Sequence, residues 1–295
     1  MIRWLAIGLA AVVVLGLGCD RADPSPEQHE AATLSEQWPQ KPRRIVSMAP
    51  NITELLFELG LGDRVVAVTR YCDWPPDVEG LPTIGGMLDP DLEAILAAEP
   101  DVVLGVEDGA DHRVIKQFDR SDVAYGFVQM DDLETIRAGV EQLGAWLGVE
   151  DRAAELIQTF DKDLQQSSSS VRRAIGDDGA TALLVFDREP IVVAGPGSFG
   201  HELLELAGLE NAMGDSAGAY PVLDVEKVLA LNPSFIIDVT IEAGDNQVVL
   251  EFWRQFTSLQ AVENDGVVHI DDPIMMRPGP RLPKALDRLG QAVNE

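Results

Sequence analysis

The stretch "DPDLEAILAAEPDVVL", residues 89–104, decides the fold because the chain says it again. From Asp224 to Ile237 the sequence reads "DVEKVLALNPSFII". At a constant offset, Asp91 matches Asp224, Glu93 matches Glu226, Leu96 matches Leu229, Ala97 matches Ala230 and Pro100 matches Pro233. Between these identities apolar residues align with apolar ones: Leu92 with Val225, Ile95 with Val228, and Val102, Val103 and Leu104 with Phe235, Ile236 and Ile237. Each copy predicts a short amphipathic helix that begins at an aspartate, ends at a proline and leads into a buried strand. In both helices the glutamate falls in the first turn on the outward face. A carboxylate there gains about 0.3–1 kcal/mol from the helix dipole, but Asp91 and Asp224 already serve those ends. Helix-end stabilisation accounts for either glutamate alone, while the matched positions, one per lobe, would also suit two carboxylates that each grip a basic socket on a two-fold partner.

Further from this core, "TELLFELGL" at 53–61 is echoed by "HELLELAGL" at 201–209. Two echoes in the same order predict two lobes of like design, with a ligand at the interface between them. Strands are expected at "RIVSMAP", "RVVAVT", "DVVLGV" and "VAYGFVQ". Helices are expected at "NITELLFELG", with Asn51 as cap and Glu54 as its capping-box partner, and at "DHRVIKQFDRS" and "DLETIRAGVEQLGAWLG". Such alternation predicts an α/β lobe over residues 43–148 with a parallel-rich sheet flanked by helices. Over residues 149–176, Ala153, Leu156, Ile157, Phe160, Leu164, Val171 and Ile175 recur at helical spacing. That predicts one backbone helix of about 40 Å, weakened but not broken by the serines at 167–170. The alternation restarts over residues 177–295, the second lobe.

The N-terminus is a different kind of sequence. "MIRW" carries a positive charge, and the 14-residue run "LAIGLAAVVVLGLG" is too short for an ordinary spanning helix. Residues 1–18 are read as an export signal, and residues 19–42 as a polar, flexible tether. With Cys19 used as an anchor, Cys72 has no partner for a disulfide within the mature chain, and no histidine lies near it in sequence; it is expected to be a packed, inert thiol. The formal net charge of −28, from 22 basic and 50 acidic residues, repels phosphate backbones. Nucleic acid is therefore not an expected partner.

The run "LGLGC" resembles a bacterial lipoprotein signal whose cysteine, here Cys19, is lipidated; Gly16 stands where leucine is usual. The body resembles the metal- and cobalamin-type substrate-binding proteins of ABC importers, and among them the cobalamin receptors. The motifs that carry this are "SMAPNITELLFELGLGDRVVAVTRYCDWPP", "LDPDLEAILAAEPDVVL", "GPGSFGHELLELAG", "YPVLDVEKVLALNPSFII" and "RPGPRL", within residues 44–293. The resemblance implies two lobes joined by one backbone helix, with a ligand cleft between them. It implies a monomer, an ABC permease dimer with its ATPase subunits as partner, and no catalysis or cofactor. It implies a membrane-anchored location on the outer side of the cytoplasmic membrane. By motif, Glu93 and Glu226 fall where the family docks onto permease arginines, and Tyr71, Tyr220 and Arg277 where it contacts cobalamin. Trp74, Gly85, Gly86 and Phe199 complete the expected cleft, whose aromatic walls suit a large, flat, amphipathic ligand such as a corrinoid.

Two departures bear on the ligand. Where cobalamin receptors carry a tryptophan, and haem receptors of this fold a tyrosine ligand, this chain has "IGG", and Gly86 offers no side chain. His29, His112, His201 and His269 form no ligand cluster, which counts against a bare metal. A ferric siderophore stays open, through Arg70, Arg188 or Arg277. The rival from another class is an NAD-dependent enzyme. "GPGSFG" (Gly195, Gly197, Gly200) fits the dinucleotide fingerprint, but no second strand ending in an acid follows about twenty residues on.

Overall fold

A computed structural model describes residues 32–36, 38–107, 112–176, 179–214, 218–241 and 246–294. The expected export signal, Cys19 and most of the expected tether lie outside the described residues.

The first lobe begins with β1 (Ala32–Leu34), β2 (Ile45–Ser47), α1 (Pro50–Glu58), β3 (Val65–Val68), α2 (Leu92–Ala97) and β4 (Val102–Val106). It continues with α3 (His112–Ser121), β5 (Ala124–Val128) and α4 (Leu133–Leu147). Its sheet has the order β1-β5-β4-β2-β3, parallel except for β1. α5 (Glu150–Ile175) follows as a single helix of 26 residues, about 39 Å long. The second lobe runs β6 (Thr181–Arg188), β7 (Ile191–Val193), α6 (Phe199–Ala207), β8 (Glu210–Asn211), β9 (Val222–Leu223) and α7 (Val225–Leu231). Then come β10 (Phe235–Asp238), α8 (Asn246–Arg254), α9 (Gln260–Glu263), β11 (Val267–His269) and α10 (Leu282–Asn294). Here the order is β11-β10-β6-β7-β9, parallel over the first three strands, with β8 beside the start of β6.

α5 is packed on both sides rather than spanning open solvent. One buried cluster runs from Leu55, Leu104 and Val140 of the first lobe, through Ala153, Phe160, Leu164 and Val171 of α5, to Leu184, Leu203 and Leu286 of the second. Each of the leucines, valines and phenylalanines contributes about 1.5–3 kcal/mol. α10 approaches so closely that a Cβ on Gly290 would stand 2.5 Å from Val171. The serine run strengthens this packing. Ser167 is buried, and the Ser168 hydroxyl donates to the Leu206 carbonyl at 2.7 Å, tying α5 to the end of α6.

Two expectations are corrected. The tether does not reach residue 42: β1 pairs antiparallel with β5, and Trp38 donates its indole N–H to the Trp146 carbonyl at 3.1 Å. An edge strand leaves unpaired backbone groups that even three residues can satisfy. Asn51 and Glu54 do not form a capping box. α1 starts at Pro50 with Ala49 as its cap, and proline needs no partner for an N–H it lacks. Both polar side chains instead reach the second lobe.

Candidate functional site

The loop after β3 carries Tyr71 and Trp74, 54% and 39% exposed. Between them Cys72 turns inward, its thiol 3.1 Å from the hydroxyls of both Thr53 and Thr69. Burial pushes that thiol above its usual pKa, against the pull of those hydroxyls, which keeps it protonated and unreactive. Beside this loop Gly85 takes a left-handed conformation, φ +85°, and its carbonyl accepts from the Arg70 N–H at 2.9 Å. The Arg70 guanidinium reaches over Gly86 to Asp89, at 2.5 and 2.6 Å from its two oxygens, and stacks on Tyr71 with 5.3 Å to the ring centroid. A Cβ on Gly86 would lie 2.0 Å from Asp89 Oδ1 and 2.6 Å from Arg70 Nη2. The space in front of this glycine is thus filled by an ion pair.

Arg277 and Arg281 come from the second lobe and close on the same loop. Arg277 donates to both Asp73 oxygens at 2.5 and 3.0 Å, to Glu54 at 3.2 Å and to the Tyr71 carbonyl at 3.0 Å. Arg281 donates to the two Glu54 oxygens at 2.5 and 2.9 Å and stacks on Trp74 at 5.1 Å. Glu54 is 2% exposed, a depth at which a carboxylate needs such partners. For Asp73, burial raises the pKa but the Arg277 hydrogen bond and charge outweigh it, leaving it below the ordinary carboxylate value. Asn51 adds a bond to the Pro278 carbonyl at 2.9 Å.

In the second lobe, Phe199 opens α6 but is 3% exposed. It packs behind Phe186, 5.7 Å between centroids, and Phe186 meets the half-exposed Tyr220 edge-on at the same distance. Arg188 turns away from this group. The ladder slips between Val185 and Asp187, and the Arg188 guanidinium stacks on Phe252 with Nε 3.6 Å from the buried Asp238.

The glycine-rich loop before α6 is not arranged as a dinucleotide site. β7 before it runs antiparallel to β6, and donors at the helix start are already taken. The Phe199 N–H donates to the Asp131 carbonyl at 2.5 Å, and the His201 N–H to the Ser198 hydroxyl at 3.2 Å. One turn on, Glu202 accepts from the Leu133 N–H across the lobes at 2.6 Å. Burial raises its pKa, opposed by that N–H.

Glu93 and Glu226 are both exposed in the first turns of α2 and α7. The Asp91 side chain accepts from Glu93 N at 2.9 Å and Ala94 N at 3.1 Å, and Asp224 accepts from Lys227 N at 2.7 Å. Capping thus falls to the aspartates, leaving both glutamate carboxylates clear.

The candidate residues therefore form three sets. Tyr71, Trp74, Gly85, Gly86 and Arg277 share one network at the lobe junction. Phe199 and Tyr220 are joined through Phe186, and Glu93 and Glu226 stand outside both. Sequence reasoning missed Arg281, Asp73, Asp89 and Phe186. Of these, Arg281, Asp73 and Asp89 sit in the quoted motifs "RPGPRL", "RYCDWPP" and "LDPDLEAILAAEPDVVL", and Glu54, expected to cap α1, joins the same network. Aromatic faces with stacked guanidinium groups can hold a planar, polar-edged molecule.

Two similar α/β lobes strapped to one long helix, with aromatic residues at their junction, define a solute-binding architecture. Residues 45–274 match the model of the periplasmic binding protein family, and the chain belongs to that family. It is 26% identical to YvrC, an uncharacterized ABC transporter substrate-binding lipoprotein of Bacillus subtilis, over 98% of this chain and 96% of that one. Among solved structures, the vitamin B12 binding protein BtuF of Vibrio cholerae is 26% identical with a TM-score of 0.70, covering 86% of this chain and 98% of that one. A periplasmic heme binding protein of Pseudomonas aeruginosa is also 26% identical, with a TM-score of 0.76 over 86% and 93%.

Proposed function

We propose that this protein is the extracytoplasmic, lipid-anchored substrate-binding component of an ABC importer, and that it captures cobalamin or a related corrinoid. The observation that carries the ligand class is the set of large aromatics, Tyr71, Trp74 and Tyr220, left 38–54% exposed on loops of both lobes. Amphipathic rings left open on loops of both lobes offer flat faces on which a ligand can stack. A corrin ring edged with amides suits these faces, and Gly86 offers no side chain where haem receptors carry their tyrosine, which counts against haem. The loaded receptor docks through Glu93 and Glu226 on a permease dimer, whose ATPase subunits drive transport. Lipidation at Cys19 holds it at the membrane surface. Neither step requires chemistry or a cofactor in this chain.

A ferric siderophore is the second reading, and it is favoured by one feature. Arg70 keeps a half-exposed guanidinium beside the Tyr71 ring, where an anionic chelate could displace Asp89.

The experiment is a titration of the purified protein with cyanocobalamin, haem and a ferric hydroxamate, read by calorimetry and by quenching of intrinsic tryptophan emission. Saturable binding of cyanocobalamin alone supports the corrinoid reading. Binding of the hydroxamate or haem instead transfers the protein to that ligand class. Binding of nicotinamide nucleotides and none of these would revive the enzyme reading.

A further inference from the structure

We infer that Arg277 and Arg281 are positioning residues rather than ligand contacts. From the second lobe they hold Tyr71 and Trp74 of the first, so that the aromatic wall stands only while the lobes are engaged. The inference rests on the ligand site proposed above, and it reassigns Arg277, which the family resemblance places on the ligand.

The geometry leaves Arg277 little to offer a ligand. Its side chain is 12% exposed, and four bonds inside the protein occupy its two terminal nitrogens. One of those bonds fixes the backbone of Tyr71 itself, and two fix Asp73, next to Trp74. Arg281 completes the support, bonding Glu54 with one edge of its guanidinium while its plane lies against the Trp74 indole. Two cations face two carboxylates, Glu54 and Asp73, so the assembly is neutral and has no charge to donate. The aromatic loop belongs to one lobe and its clamps to the other. Separating the lobes would withdraw both arginines together, freeing Tyr71 and Trp74 and weakening the grip on the ligand in the same movement.

The test uses Arg281→Gln and Asp73→Asn in the full chain, each with and without Trp74→Phe. In the unliganded protein, acrylamide quenching of the Trp74 component, taken as the difference from the Trp74→Phe partner, should rise in Arg281→Gln. With cyanocobalamin as probe, affinity should fall about tenfold on the wild-type background and less than about twofold when Trp74 is already absent, as coupled residues behave. Fully additive losses would place the arginines on the ligand and overturn the inference, as would unchanged quenching of Trp74. If cyanocobalamin does not bind the wild type, the corrinoid reading fails while the quenching result still decides the positioning role. Should Arg281→Gln not fold, Asp73→Asn removes the outer partner of Arg277 at a carboxylate 58% exposed, and its own quenching and affinity are judged by the same outcomes.

Discussion

Glu54 and Glu202 hold the same place in the two lobes, aligned in the "TELLFELGL" and "HELLELAGL" echo, and each carboxylate crosses to the opposite lobe. Glu54 on α1 takes hold of residues just before α10, and Glu202 on α6 takes hold of the start of α4. Their neighbours repeat the pattern, since Asn51 and Phe199 also align and also bond across, to Pro278 and Asp131. The first helix of each lobe thus fastens the last helix of the other. The two fasteners differ in chemistry, because Glu54 meets two guanidinium groups and Glu202 a backbone N–H.

That difference sets the first expectation. Arg281→Ala leaves Glu54 with Arg277 alone, and a buried anion short of partners costs about 1–3 kcal/mol. Urea unfolding should show this loss, and it should shrink on a Glu54→Gln background. An equal loss with the charge already gone would mean that Arg281 acts through packing.

Glu202 predicts a dependence on pH. Its folded pKa is raised by burial, so the native state holds the proton more tightly than the unfolded chain, whose glutamates titrate near about 4.3. Between that value and the raised one, stability falls as pH rises. Glu202→Gln keeps an acceptor for Leu133 and removes the slope. Its melting temperature relative to wild type should therefore be higher at pH 7 than at pH 4. A larger relative gain at pH 4 would reverse the sign and refute the account.

At Gly86 the space that a side chain would take is held by the Arg70–Asp89 pair. Gly86→Trp in the wild-type background displaces the exposed Arg70–Asp89 pair, and losing an ion pair of this kind costs at most about 1 kcal/mol. With Arg70→Ser and Asp89→Ser already in place, the same substitution should cost little more in thermal melts. An undiminished loss there would place the obstruction in the backbone turn itself.

Charge reversal tests the docking role. Glu93→Lys with Glu226→Lys should abolish uptake in cells while leaving ligand affinity within about twofold, since surface substitutions away from a site rarely change stability by more than about 0.5 kcal/mol. Loss of affinity would move the glutamates into the pocket.

Much of this molecule was legible in its sequence for a physical reason. Strands such as "DVVLG" and helices such as residues 150–175 announce themselves by periodicity, and the repeat of Asp91–Pro100 at Asp224–Pro233 reports two lobes without any contact being known. β1 escaped because three residues carry no period, and its pairing is satisfied by β5, far along the chain. The role of Glu54 escaped because a polar residue early in a helix looks the same whether it caps that helix or faces a cation more than two hundred residues away. The aromatic loop was found through its residue types. The ion pair filling the space at Gly86 was not, because nothing local links residue 70 to residue 89.

One face of α5 is buried along its length against α4 and α10, and that bears on traffic at the membrane. A core shared by both lobes limits how far Glu93 and Glu226 can move apart when the arginine clamp lets go. On the proposed reading, an empty receptor would still present both glutamates to the transporter. Vacant copies would then act as competitive inhibitors of import, and uptake would peak and decline as receptor outnumbers vitamin.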